Sequence, residues 1–319
     1  MIPILSRKHT AIIVMVLLFL VGFVVFKPNS LPSVDIVDIK GANVVGTPTY
    51  AWGDFWANWR KAQLELRVEL QLAKEMGLNL IEIYIRYDAF PKYDYWKLRE
   101  FLRIAKKYGL WVIVTLNDDI YPSNLNYSYV EQHLKAVVNE IKNEPNLYAI
   151  GVLNEYNGRF GTNTTFAKWV IGKIREFTNN KVKIVFDLVV FSPIIEGNIY
   201  AVFRNLDVDF YSVSIYSIPP FHDILPKMYP TILETLQKIL GKPIFLGEFG
   251  WRTDREKPEY NEEEQAKYYR EVLERVNGKF GWSFWCLTDY KILKEKWGVL
   301  TENLEPKPVV DVIKEFTHQ

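Results

Sequence analysis

A chain of 319 residues that is 49% hydrophobic, 15% aromatic and 24% charged can bury a sizeable core, which excludes disordered, collagen-like and low-complexity classes. Its 39 basic and 38 acidic residues leave a net charge of +1, so no overall field draws it to nucleic acid. The single cysteine, Cys286, excludes an internal disulfide, a multi-thiolate zinc site and a CxxC redox pair.

In chain order, the first feature is residues 11–26, all large apolar residues or alanine apart from Gly22. Arg7 and Lys8 precede this run, and Lys27 and Pro28 follow it. It reads as an uncleaved transmembrane signal anchor, because no small-residue cleavage site follows Phe26. The rival is a cleaved signal peptide, which gives a secreted product. The excess of positive charge before the run assigns residues 1–10 to a cytoplasmic tail and the rest of the chain to the outside. Sequons at Asn126 and Asn163 agree with export. Residues 27–34, with two prolines and two serines, form a tether. No linker, repeat or charge block divides 35–319, which is read as one domain.

Eight apolar, β-branched or aromatic runs of strand length follow, at 36–44, 80–86, 111–116, 148–154, 182–188, 210–216, 244–249 and 281–287. Several lack alternation, as parallel strands covered on both faces do. Helical patterns lie between them at 95–107, 129–142, 166–177, 224–240 and 262–276, and Gly77, Gly109 and Gly241 mark helix ends. Leu64, Leu66, Val68, Leu70 and Leu72 alternate like a strand, yet Leu66, Leu70, Ala73 and Met76 also make a helical stripe among good helix formers, so this segment is assigned as helix. The series predicts an α/β fold, a (β/α)8 TIM barrel, whose functional groups stand at the C-terminal ends of its strands.

GxGxxG, GxxxxGK[ST] and GxSxG are absent from the sequence, and His133 and His222 lack paired-ligand spacing, while His9 and His318 lie in the chain ends. Carboxylates remain. Strand four ends in Asn154 and Glu155, and strand seven ends in Glu248 within the GEFGW run that closes on Trp251. Strands four and seven face each other across an eight-stranded mouth, so two carboxylates can approach one glycosidic bond from opposite sides.

This arrangement resembles the clan of retaining (β/α)8 glycoside hydrolases with glutamates at the ends of strands four and seven, and is most similar to the cellulase and mannanase-type family five. The resemblance spans 36–319 and implies Glu155 as general acid/base, Glu248 as nucleophile and Asn154 as a partner of the sugar 2-hydroxyl. In an unbroken strand Asn154 and Glu155 point to opposite faces, so a bulge is expected there. The resemblance further implies Arg86 and Tyr216 as supports of the nucleophile and Trp285 as the floor of the cleavage subsite. Trp251 and Trp52 are further substrate-binding candidates; Trp52, Trp56 and Trp59 in the segment after strand one are either sugar platforms or packing beneath a loop. Where many family members carry histidines, this chain reads Asn117-Asp118 and Ser214. The resemblance implies β-linked gluco- or manno-type carbohydrate as substrate and no metal or organic cofactor. Transglycosylation at the same site and a catalytically silent glycan-binding barrel are the alternatives.

Overall fold

The computed structural model describes residues 31, 33–86, 94–116, 118–190, 197–217, 224–253 and 260–318. The expected tail, the anchor at 11–26 and most of the tether lie outside the described residues. Among the described residues no helix is long and apolar enough to cross a membrane. The fold below is that of the compact unit Ser33–Gln319.

All eight expected strands form, as β1 (Lys40–Val44), β2 (Leu80–Tyr84), β3 (Trp111–Thr115), β4 (Leu147–Gly151), β5 (Lys183–Val190), β6 (Phe210–Ile215), β7 (Ile244–Glu248) and β8 (Trp282–Phe284). They pair in parallel in sequence order and close on themselves, β8 against β1. Helices α1 (Gly53–Ala57), α2 (Trp59–Glu75), α3 (Trp96–Lys107), α4 (Tyr127–Ile141), α5 (Tyr156–Phe160) and α6 (Thr165–Thr178) cover the first half of the barrel. Helices α7 (Gly197–Ala201), α8 (Leu225–Leu240), α9 (Glu262–Val276) and α10 (Val309–Thr317) cover the rest.

The ambiguous segment is helical in α2, and burial shows why. Leu66, Leu70 and Ala73 are fully buried while Leu64 and Val68 are 68% and 49% exposed, so the helical stripe faces the sheet and the alternation is broken by two solvent-facing members. At the ends of α2 and α8 the chain turns through Gly77 (φ 76°) and Gly241 (φ 70°), the left-handed conformation that glycine adopts without a Cβ penalty.

Strand alternation sorts the core into two parts. Ile81, Ile83 and Ile85 join the large cluster between sheet and helices, whereas Leu80, Ile113, Val185, Phe210 and Phe245 join Ile39 in a plug inside the barrel base. Two residues further along their strands, the inward positions are polar and buried: Glu82, Thr115, Asp187 and Ser212. Two further on stand Tyr84 and Ser214, at the mouth. The interior therefore changes from apolar to polar along its axis, and the polar end carries the site.

Candidate active site

On β7, Phe245 faces the barrel plug and Gly247 faces Ser212, whose Oγ would lie 1.8 Å from a Cβ at position 247. Strict alternation turns the next residue outward. The β6–β7 register shifts here, pairing Val213 with Leu246 but Ser214 with Glu248, so Gly247 is an extra residue and Glu248 returns to the inner face. Asn43 holds the irregular backbone by donating from Nδ2 to the Gly247 carbonyl (2.9 Å), and Ser283 Oγ donates to Asn43 Oδ1 (2.6 Å).

Glu248 is 4% exposed. The Tyr84 hydroxyl donates to its Oε1 at 2.7 Å and the Tyr216 hydroxyl to its Oε2 at 2.5 Å. Burial, and then the negative charges of Glu155 and Asp187, push its carboxyl well above the usual range, while the two tyrosines pull the other way. Burial and the neighbouring Glu248 charge lift both phenols too, so they stay protonated as donors.

Glu155 arrives differently. β4 ends at Gly151, and the expected continuation to residue 154 does not form. A turn follows, with Glu155 in the left-handed conformation (φ 48°, ψ 50°) as the residue capping α5. The expected bulge between Asn154 and Glu155 is thus replaced by the strand stopping early. The register irregularity of β4 lies at its base, beside Val112 and Ile113. Such a conformation costs a non-glycine residue roughly 1–2 kcal/mol, and β5 supplies the bonds that hold it. Asp187 Oδ2 accepts from the Glu155 N–H at 3.0 Å, while Asn157 bonds both the N–H and the carbonyl of Val189 (2.8 and 2.9 Å).

Burial raises the Glu155 carboxyl; Arg159 opposes this and Asp118 adds to it. The Arg159 guanidinium pairs with Asp118 (2.9 Å) and lies over the Tyr121 ring at 5.1 Å. The Asn154 side chain also bonds Asp118, and its own Oδ1 is buried without a hydrogen-bond partner among the described residues. The negative charge of Glu155 raises Glu248, so Glu248 holds a proton more readily while Glu155 is ionised. The two tyrosine donors favour the ionised form of Glu248, against its burial and the neighbouring charges.

The other sequence candidates separate into mouth and wall. Trp285, joined to Cys286 by a cis peptide bond, is partly buried with its ring 5.9 Å from that of Tyr84. Trp52 is also partly buried at this rim, and Arg86 lies over its face at 5.7 Å. Arg86 additionally stabilises the Asp118 carboxylate, whereas the described hydrogen-bond partners of Glu248 are the two tyrosines. Trp251 departs from expectation. It is 2% exposed, 5.3 Å from Tyr268 and 5.4 Å from Tyr260, within the wall behind β7. Trp56 and Trp59 stack on one another at 5.7 Å and are 3% and 2% exposed, so they pack and offer no sugar platform.

Sequence reasoning missed Tyr84, Glu82, Asp187 and Trp297. Tyr84 and Glu82 lie two and four residues before Arg86 on the same face of β2, so alternation counted back from Arg86 finds them. Burial lifts Glu82 to about 8, and Thr115 donates to it at 2.5 Å. Asp187 is the lone acid in an apolar strand, itself a signal that the position faces something polar. Trp297 lies 5.4 Å from Tyr216 in the loop after β8. The buried pair Lys307–Asp289 (2.8 Å) braces this loop, with Asp289 also accepting from the Gly298 N–H at 2.8 Å.

No family model matches the sequence, and no curated protein matches it. Solved structures match the fold. A GH5_18 variant from Streptomyces cattleya in complex with Manb1-4GlcNAc shares 14% identity over 88% of this chain and 80% of its own, with a TM-score of 0.70. A GH5_18 protein from Bifidobacterium longum subsp. infantis shares 13% identity over 88% of this chain and 79% of its own, with a TM-score of 0.67. The exo-beta-1,4-mannosidase of Opitutaceae bacterium strain TAV5 shares 14% identity over 90% of this chain and 62% of its own, also with a TM-score of 0.67. At these identities the likeness is one of fold, the (β/α)8 barrel on which those proteins are built.

Proposed function

We propose that this protein is a retaining glycoside hydrolase acting on β-mannosides. The observation that carries the reading is the unequal treatment of two carboxyls at one barrel mouth: Glu248 is buried and takes a tyrosine hydroxyl on each oxygen, while Glu155 sits in a turn beside it. Binding alone does not require two carboxyls at one mouth, one of them held by a tyrosine hydroxyl on each oxygen. The manno preference draws on the fold neighbours, one solved with Manb1-4GlcNAc and one an exo-beta-1,4-mannosidase.

In the first step the Glu248 carboxylate attacks the anomeric carbon as the bond to the leaving oxygen breaks, and the Glu155 proton passes to that oxygen. The product is a glycosyl ester on Glu248. With Glu248 esterified, Glu155, now deprotonated, serves as the base of the next step. It then takes a proton from water, the water oxygen bonds the anomeric carbon from the opposite face, and Glu248 leaves as carboxylate. Tyr84 and Tyr216 orient the nucleophile throughout. Asn154 is assigned to the sugar 2-hydroxyl through its unpartnered Oδ1, Trp285 to the floor beneath the reacting ring, and Trp52 with Arg86 to the rim of the subsite.

The uniformly apolar run at 11–26, flanked by basic residues, supports a signal anchor that holds the barrel outside the cytoplasm. The catalytic reading is tested with 4-nitrophenyl β-mannoside, β-glucoside, β-galactoside and β-N-acetylglucosaminide. Turnover of the mannoside that is lost in both Glu155→Ala and Glu248→Gly supports it. Binding without turnover of any of the four contradicts it.

A further inference from the structure

We propose that Asp187 is the positioning residue of the acid/base, fixing the main chain of Glu155 in its left-handed turn and placing a second titratable carboxyl beside it. The inference rests on the assignment of Glu155 above and deepens it. Asp187 is 5% exposed on the inner face of β5, between the apolar plug and the mouth. Its Oδ2 accepts from the Glu155 N–H at 3.0 Å, and the Ser214 hydroxyl lies 3.3 Å from the same oxygen. Ser212, on the adjacent strand, also bonds the carboxyl.

A carboxyl is a costly choice for this place. An amide or a hydroxyl would accept the same N–H, whereas burying an ionisable group carries a desolvation penalty. That penalty lifts Asp187 to about 7, within the range where the enzyme's own acid must hold and release a proton. The negative charge of Glu155 adds to the rise, and by reciprocity an ionised Asp187 raises Glu155. The charged and titratable groups around the pair come from every element of the mouth: Glu82, Tyr84 and Arg86 from β2 and its end, Asp118 after β3, Arg159 on α5, Tyr216 after β6 and Glu248 on β7. Among these, Asp187 alone touches the backbone of Glu155 by a described hydrogen bond. It therefore couples the geometry of the acid to its protonation. When Glu155 gives up its proton, a protonated Asp187 holds the turn without adding charge. At higher pH an ionised Asp187 makes Glu155 retain its proton longer.

Two substitutions separate the roles. Asp187→Asn keeps an acceptor oxygen but cannot ionise. It should move the basic limb of the kcat/KM profile for 4-nitrophenyl β-mannoside down by about one pH unit, and it should move the acid limb in the same direction because the Asp187 charge also raises Glu248. Asp187→Ala removes the acceptor and frees the turn. Its kcat on phenyl β-mannoside should fall at least about tenfold more than on 2,4-dinitrophenyl β-mannoside, because only the poorer leaving group needs a well-placed proton donor. A basic limb unmoved in Asp187→Asn overturns the proposal, whether or not Asp187→Ala folds. An equal loss on both substrates in a folded Asp187→Ala overturns the positioning role. If Glu155→Ala itself leaves phenyl β-mannoside hydrolysis intact, the assignment of the acid fails and this inference fails with it.

Discussion

Tyr84→Phe tests the electrostatics of the nucleophile most cleanly. Tyr84 is 3% exposed and its hydroxyl lies 2.7 Å from Glu248 Oε1, so phenylalanine keeps the ring packing against Trp285 and removes one donor. A hydrogen bond to a charged group is worth about 1.5–3 kcal/mol. At about 1.4 kcal/mol per pH unit, its loss raises the Glu248 titration by roughly one to two units. The sign follows from which form the donor serves. Both tyrosines bond the ionised carboxylate, so deleting one makes protonation easier and activity is lost sooner as pH falls. Profiles of kcat/KM against pH for 4-nitrophenyl β-mannoside should show the acid limb displaced upward in Tyr84→Phe. Tyr216→Phe, which removes the 2.5 Å donor to the other oxygen, should do the same. The basic limb, set by Glu155 and its neighbours, should stay within a few tenths of a unit of wild type in both. An acid limb that stays in place or moves down in both variants would refute the assignment of Glu248 as the ionised member of the pair.

Lys307→Met leaves Asp289 buried without its cation and should cost about 3–5 kcal/mol in chemical denaturation. Arg270→Ala, at an exposed pair with Glu315, should cost no more than about 1 kcal/mol, and equal losses would contradict the buried-clasp account. Glu82 keeps its proton in the folded chain up to about 8, whereas an unfolded glutamate ionises near 4.3. The folded state therefore binds the extra proton, and this carboxyl lowers stability as pH rises through that interval. Glu82→Gln should flatten the pH dependence of the denaturation midpoint between roughly pH 5 and 8, and an unchanged slope would count against the buried neutral acid. Removing about the first 30 residues should give a detergent-free domain with wild-type turnover, since the apolar run is read as an anchor and not as core. Loss of activity in the truncated chain alone would contradict that reading.

The barrel was legible because its strands are bounded by turn residues and its helices by stop glycines, so element type did not depend on tertiary context. α2 was the exception in pattern but not in outcome. Its alternating leucines and valine satisfied a strand period, and the choice fell to helix propensity and to the stripe of Leu66, Leu70, Ala73 and Met76, which the structure buries. The two glutamates stood out through their spacing on opposed strands. How they reach the mouth did not, because neither route is a property of local sequence. Gly247 becomes an extra residue only through its pairing with β6, and the left-handed turn at Glu155 is bonded to Asp187 of β5, far away in sequence. Tryptophans were the hardest to read. Trp52 and Trp285 reach the rim whereas Trp56, Trp59 and Trp251 pack beneath it, a division set by the direction of each side chain. Asp187 escaped notice inside an apolar run that was read for its strand character alone.

The central claim is that Glu248 attacks and Glu155 exchanges the proton, and azide rescue followed by NMR of the product tests it most directly. With Glu248→Gly, azide occupies the vacated space and attacks 2,4-dinitrophenyl β-mannoside from the far face, giving the α-mannosyl azide. With Glu155→Ala, the ester on Glu248 still forms and azide opens it from the near face, giving the β-mannosyl azide. Those two opposite anomers are the expected result; the exchanged pair, or the same anomer from both variants, would contradict the assignment.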